Sequence, residues 1–103
     1  MQGRTPTARE RKWMNAITEL GCIVCLLDRG VKSPTQIHHI DGKTKPDAHL
    51  NSIPLCYLHH QAGTDCYEYV SRHPYKARFV ARYGTEQHLL AETKRLLKWE
   101  DEP

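Results

Sequence analysis

The chain has 103 residues, 15 Lys and Arg against 12 Asp and Glu, a formal charge of +3, and 39% hydrophobic residues. This is the composition of one small globular domain with a thin core, and it excludes a long disordered chain or a multidomain assembly. The N-terminal MQGRTPTARERK has no apolar stretch of the kind that starts a secretory signal, and no apolar run approaches the roughly 18 residues that suggest a membrane span. A cytoplasmic protein without membrane contact is therefore expected, with residues 1–6 as a flexible N-terminus and residues 7–100 as a single domain.

In chain order, TARERKWMNAITEL (7–20) places Trp13, Met14, Ile17 and Leu20 on one helical stripe, and Gly21 is placed to end that helix. GCIVCLLDRGVKSP follows, with a Cys22-x2-Cys25 pair and turn-forming residues, and is read as a knuckle and loop. QIHHI (36–40) and LNSIPL (50–55) are strand candidates flanking DGKTKPDAH, whose Asp-Gly and Lys-Pro dipeptides favour a turn. Pro54 cannot donate a ladder hydrogen bond, so the second strand ends there or lies at an edge.

A helix is expected to start near Cys56, another to run from about Pro74 to Gly84, and a last one to be capped by Thr85. The last places Leu89, Leu90, Leu96 and Leu97 on a common face. The expected fold is small α+β, with helices at both ends of a two-stranded core.

Four cysteines in a reducing compartment point to metal rather than disulfides. Two ligands separated by two residues wrap one ion through a tight turn, and the chain carries two such pairs, Cys22-x2-Cys25 and Cys56-x2-His59. Together they make a Cys3His set for a structural zinc. The rival fourth ligand is Cys66, which lacks knuckle spacing, would leave His59 without a task, and otherwise reads as a small buried hydrophobe.

On a helix, His60 lies about 100° around the axis from His59 and faces elsewhere. A second group is available to receive it: His38, His39, Asp41, His49, Asn51 and His73. Six of the seven histidines fall between residues 38 and 73. The plainer alternative is that some are surface or core residues satisfied by backbone bonds, as expected for His88 on the last helix.

CIVC, IHHI, LNSIPLC and the LCxxHH ending resemble the HNH (ββα-metal, treble-clef) nucleases over residues 22–60. More closely, ELGCIVC, IHHIDGK, HLNSIPLCYLHH and SRHPYKARFVARYGTEQHLL resemble the phage recombination-enhancement nucleases that depend on RecA. That resemblance implies a ββα-metal core, DNA hydrolysis and a RecA filament as partner. It implies His39 as general base and His38, His60 and His73 as holders of a catalytic divalent ion (magnesium, manganese or zinc). His73 has Asp65 and Asp41 as alternatives, because the usual last histidine of the Cys56 helix is missing. The middle residue is His49 or Asn51.

Neighbours on a regular strand point to opposite faces, so His38 and His39 share a site only if the strand bends or ends there. Arg4, Arg9, Arg11, Lys12, Lys43, Lys45, Arg72, Lys76, Arg78 and Arg82 are candidate phosphate contacts, with solvated or paired surface charge as the alternative for each. Two other functions are a noncatalytic zinc-stapled DNA-binding or adaptor module, which has no need of a second histidine cluster, and a Cys22-x2-Cys25 redox protein, which leaves Cys56-x2-His59 unexplained.

Overall fold

The computed structural model describes residues 5–42, 45 and 47–100. Arg4 and Lys43, two of the expected DNA contacts, and most of the expected flexible N-terminus lie outside these residues. The element order is α1 (Ala8–Leu20), α2 (Ile23–Arg29), β1 (Gln36–His39), β2 (Ser52–Leu55), α3 (Tyr57–His60), α4 (Lys76–Tyr83) and α5 (Glu86–Leu97). Helices around a two-stranded sheet make this a small α+β fold.

α1 starts at a capping box. Thr7 Oγ1 accepts from the Glu10 amide, and Glu10 Oε1 accepts from the Thr7 amide at 2.8 Å, so two N-terminal donors are satisfied by two side chains. The helix ends at Gly21, whose φ of 93° and close approach to Ser33 O and Lys32 Cγ, each 3.0 Å from where a Cβ would stand, leave room only for glycine. Beyond it the expected loop is instead a short helix. Cys22 caps α2 by accepting from the Cys25 amide, and Gly30 closes it in the left-handed region. Cys22-x2-Cys25 is thus a helical first turn.

β1 and β2 pair antiparallel with Gln36 opposite Leu55, Ile37 opposite Pro54, His38 opposite Ile53 and His39 opposite Ser52. Pro54 sits inside β2, tolerated because a two-stranded sheet is all edge. Every residue of β2 is buried. It packs against α1 and α5, and Trp13 Nε1 donates to Ser52 O at 3.1 Å.

The core joins Trp13, Ile17, Ile23, Val24, Ile53, Leu55, Phe79 and Leu89 with the three buried cysteines. On α5 the buried stripe is Leu89, Leu90 and Thr93, while Leu96, expected on that face, is 39% exposed. Thr93 Oγ1 returns its hydrogen bond to Leu89 O, which makes the hydroxyl tolerable inside. No helix among the described residues is long and apolar enough to cross a membrane.

Candidate metal centres and histidine cluster

Cys22 and Cys25 from the first turn of α2 meet Cys56, the N-cap of α3, and His59 one turn later. His59 Nδ1 lies 3.5 Å from Cys22 Sγ, 3.5 Å from Cys25 Sγ and 3.2 Å from Cys56 Sγ, and Cys25 and Cys56 sulfurs are 3.8 Å apart. A tetrahedral zinc with Zn–S near 2.3 Å and Zn–N near 2.05 Å requires edges of about 3.8 Å between sulfurs and about 3.5 Å between sulfur and nitrogen.

All four residues are buried. Donation to Cys56 pushes the Cys22 thiol up, burial pushes Cys25 up, and Cys56 is pushed down to about 3, first by the Cys22 hydrogen bond and then by His59. A soft divalent cation fits this donor set. Cys66 is exposed and outside the cluster, neither its fourth member nor the buried hydrophobe of the alternative reading.

A second cluster brings together His38, His60 and His73, whose ligand-capable atoms lie within 4.8 Å of one another. The ring centroids are 5.1, 5.3 and 5.3 Å apart. Three imidazoles each pointing a nitrogen at one point about 2.1 Å away, at tetrahedral angles, would have centroids about 5.2 Å apart. The donor set therefore fits a divalent ion.

Local structure explains the convergence. Gln36 and His38 are two apart on β1 and share a face, and Gln36 Oε1 accepts from His60 Nδ1 at 2.8 Å. An amide oxygen only accepts, so the proton is on Nδ1 and the Nε2 lone pair is left for the cluster. His73 returns across the loop after α3 because the Arg72 and His73 amides donate to His59 O and His60 O, each at 2.8 Å. Buried Ser71 locks that return by donating to Leu58 O and accepting from the Thr64 amide. Among the described residues Asp41 and Asp65, the alternatives to His73, belong to neither cluster; they pair with Asn51 at 2.7 Å and Arg78 at 3.3 Å.

Burial pushes His60 down to about 4, with the neighbouring His38 and His73 next in weight, and burial likewise lowers His38 and His73. All three rings are therefore neutral near neutral pH.

His39 leaves this cluster, as strand alternation requires. Its Nε2 lies 2.9 Å from His49 Nδ1, although it is close enough to count among the positive groups that disfavour charging of His60. His49 is thus in direct contact with His39. Asn51 instead ties the loop, donating to Asp41 and accepting from Gln87 at 3.4 Å.

Residues 6–98 match the family described as recombination enhancement, RecA-dependent nuclease. The chain belongs to that family. The family description names a nuclease that depends on RecA; among the described residues the groups of His, Cys, Asp or Glu that could hold a metal ion are the Cys3His set and the His38, His60 and His73 cluster.

The basic residues expected to contact phosphates are spread over several elements. Arg72 is held at the edge of the histidine cluster. Arg9 and Lys12 gather on the Trp99 ring at 4.8 and 5.9 Å, and Arg11 donates to Pro6 O. Arg78 pairs with Asp65, while Arg82 donates to Cys66 O and lies over Tyr83 at 5.3 Å. Lys45 and Lys76 are exposed.

Sequence reasoning missed Glu86. This buried carboxylate accepts from His38 Nε2 at 2.9 Å and from Arg72 Nε. Burial would raise its pKa, but the Arg72 and His38 hydrogen bonds hold it below the usual carboxylate range. As the first residue after the Thr85 cap, it reads in the sequence as a helix-start residue and gives no other signal.

Proposed function

We propose that this chain is an HNH-type, metal-dependent DNA endonuclease that hydrolyses phosphodiester bonds and acts with a RecA filament. One observation carries the reading: three neutral histidines converge within 4.8 Å beside a separate His39–His49 pair. The order β1, β2, α3, with Cys56 and His59 opening the helix that carries His60, supports a ββα-metal core built on a structural zinc.

In this reading Cys22, Cys25, Cys56 and His59 hold the zinc, and His38, His60 and His73 hold the second ion. A divalent ion bound there supplies positive charge for the phosphate and the leaving oxygen. His39 takes the proton from the attacking water as a new P–O bond forms and the bond to the leaving oxygen breaks. His49 orients the His39 ring, and Asn51 braces the loop between the strands through Asp41. Arg9, Arg11, Lys12, Lys45, Arg72, Lys76 and Arg78 contact backbone phosphates, with Arg4 and Lys43 as further candidates. Three imidazoles favour zinc or manganese, and magnesium would lean on substrate oxygens. A noncatalytic zinc-stapled module needs only the Cys3His cluster and gives the histidine triad no task.

The test uses supercoiled plasmid with magnesium or manganese, with and without RecA filaments. Wild-type protein is expected to nick and His39→Ala to lose about 100-fold or more, the usual weight of a general base. Equal cutting by both proteins, or no cutting by wild type in any combination, sinks the proposal.

A further inference from the structure

We infer that Glu86 is a positioning residue for the histidine cluster: its Oε1 fixes the His38 ring with Nδ1 toward the cluster and anchors Arg72 at the cluster's edge, where the guanidinium meets a phosphate. The inference rests on the nuclease reading above.

Glu86 opens α5 and is 6% exposed. The same oxygen, Oε1, receives His38 Nε2 at 2.9 Å and Arg72 Nε. A guanidinium is always a donor, so the carboxylate facing it acts as acceptor. The proton of the neutral His38 ring then sits on Nε2, and the lone pair on Nδ1. A carboxylate behind a ligating histidine fixes ring tautomer and angle in this way, and its loss typically weakens metal binding about 10- to 100-fold.

Arg72 is held differently from the other basic residues. Its Nε is engaged by Glu86, Nη1 lies 3.5 Å from His73 Nδ1, and the side chain is 14% exposed. The terminal nitrogens thus stand beside the histidines with little freedom, as a fork preorganised for an oxyanion. A buried ion pair adds little to stability compared with apolar packing. Here it links an imidazole and a guanidinium through one atom, which fixes their relative position.

Three measurements decide the matter. In 15N-labelled wild-type protein carrying zinc, His38 should show its proton on Nε2; a proton on Nδ1 overturns the inference and requires no variant that might misfold. Glu86→Gln should retain one zinc and the wild-type circular dichroism spectrum, yet bind Mn2+ about 10- to 100-fold more weakly by paramagnetic resonance titration, with cutting partly rescued by excess Mn2+. Arg72→Gln should bind Mn2+ no more weakly than wild type and lose turnover (kcat) rather than substrate affinity (KM). Unchanged Mn2+ binding in Glu86→Gln overturns the role of Glu86 while leaving the nuclease reading intact. If wild-type protein binds no second ion at all, both fail together.

Discussion

His38 and His39, adjacent on β1, direct their Nε2 atoms to different partners: Glu86 at 2.9 Å and His49 at 2.9 Å. Strand alternation alone produces this separation. It separates a histidine cluster that could hold an ion from the His39–His49 pair, and under the proposed mechanism the two should fail in different ways.

His49→Ala is expected to lower cutting about 10- to 100-fold, a fraction of the loss caused by removing a general base outright. It should leave Mn2+ binding at the His38 cluster unchanged, because His49 touches His39 and belongs to neither metal-capable group. Plasmid nicking beside a Mn2+ titration checks this; a parallel loss of metal would place His49 among the ligands.

Cys22→Ser should cost the fold itself. A structural zinc in a small domain supplies about 10–16 kcal/mol of apparent binding energy, as much as such a domain's whole stability of about 5–15 kcal/mol. Zinc analysis and circular dichroism should show both signals lost together, whereas His60→Ala should keep its zinc and helix content. Collapse of both variants would mean that the two clusters are not separable.

Acid should destabilise the histidine cluster in a defined window. His60 titrates near 6.5 when unfolded and is pushed down to about 4 in the fold, first by burial. Between those values the unfolded chain binds more protons, so stability is fully present above pH 6.5 and falls as pH drops toward 4. Melting temperature against pH for wild type and His60→Gln isolates this contribution from zinc loss, since both carry the Cys3His cluster. The wild-type curve should fall more steeply through the window; parallel curves would refute the assignment.

Trp13→Ala should cost about 3–5 kcal/mol, as large aromatic deletions in cores do. Trp13 is fully buried, donates to Ser52 O, and packs edge-on against Trp99 at 5.0 Å. Urea denaturation measures the loss, and a value under about 1 kcal/mol would mean that α1 does not hold the sheet.

What the sequence disclosed follows from how local each signal is. Cys22-x2-Cys25 and Cys56-x2-His59 are each set within one turn of backbone, so their spacing exposed the four-membered cluster that the structure assembles. The split between His59 and His60 followed from helical rotation. His73 required a return path built from Arg72, Ser71 and Thr64 backbone and side-chain bonds, which no periodicity encodes. Glu86 contacts a histidine 48 positions away and was masked by its own helix-start position. The loop expected after Cys22 became α2 because the cysteine side chain itself serves as the cap. Leu96 shares the stripe of Leu89 and Thr93 by helical periodicity, yet it stands one residue before α5 ends at Leu97 and is 39% exposed.

The one-turn length of α3 has a consequence for how the chain can change. Cys56, His59 and His60 fall within that turn and serve both clusters, and the carbonyls of His59 and His60 are each held by an amide of the incoming segment. The gap between the clusters is therefore measured out by backbone pitch rather than by the packing of separate elements. One residue inserted between His59 and His60 would swing the second ring by about 100° and leave the first in place. Residues 56–60 thus act as a fixed-length gauge, tolerant of exchange at Tyr57 and Leu58, which are 55% and 38% exposed, and intolerant of any change in length.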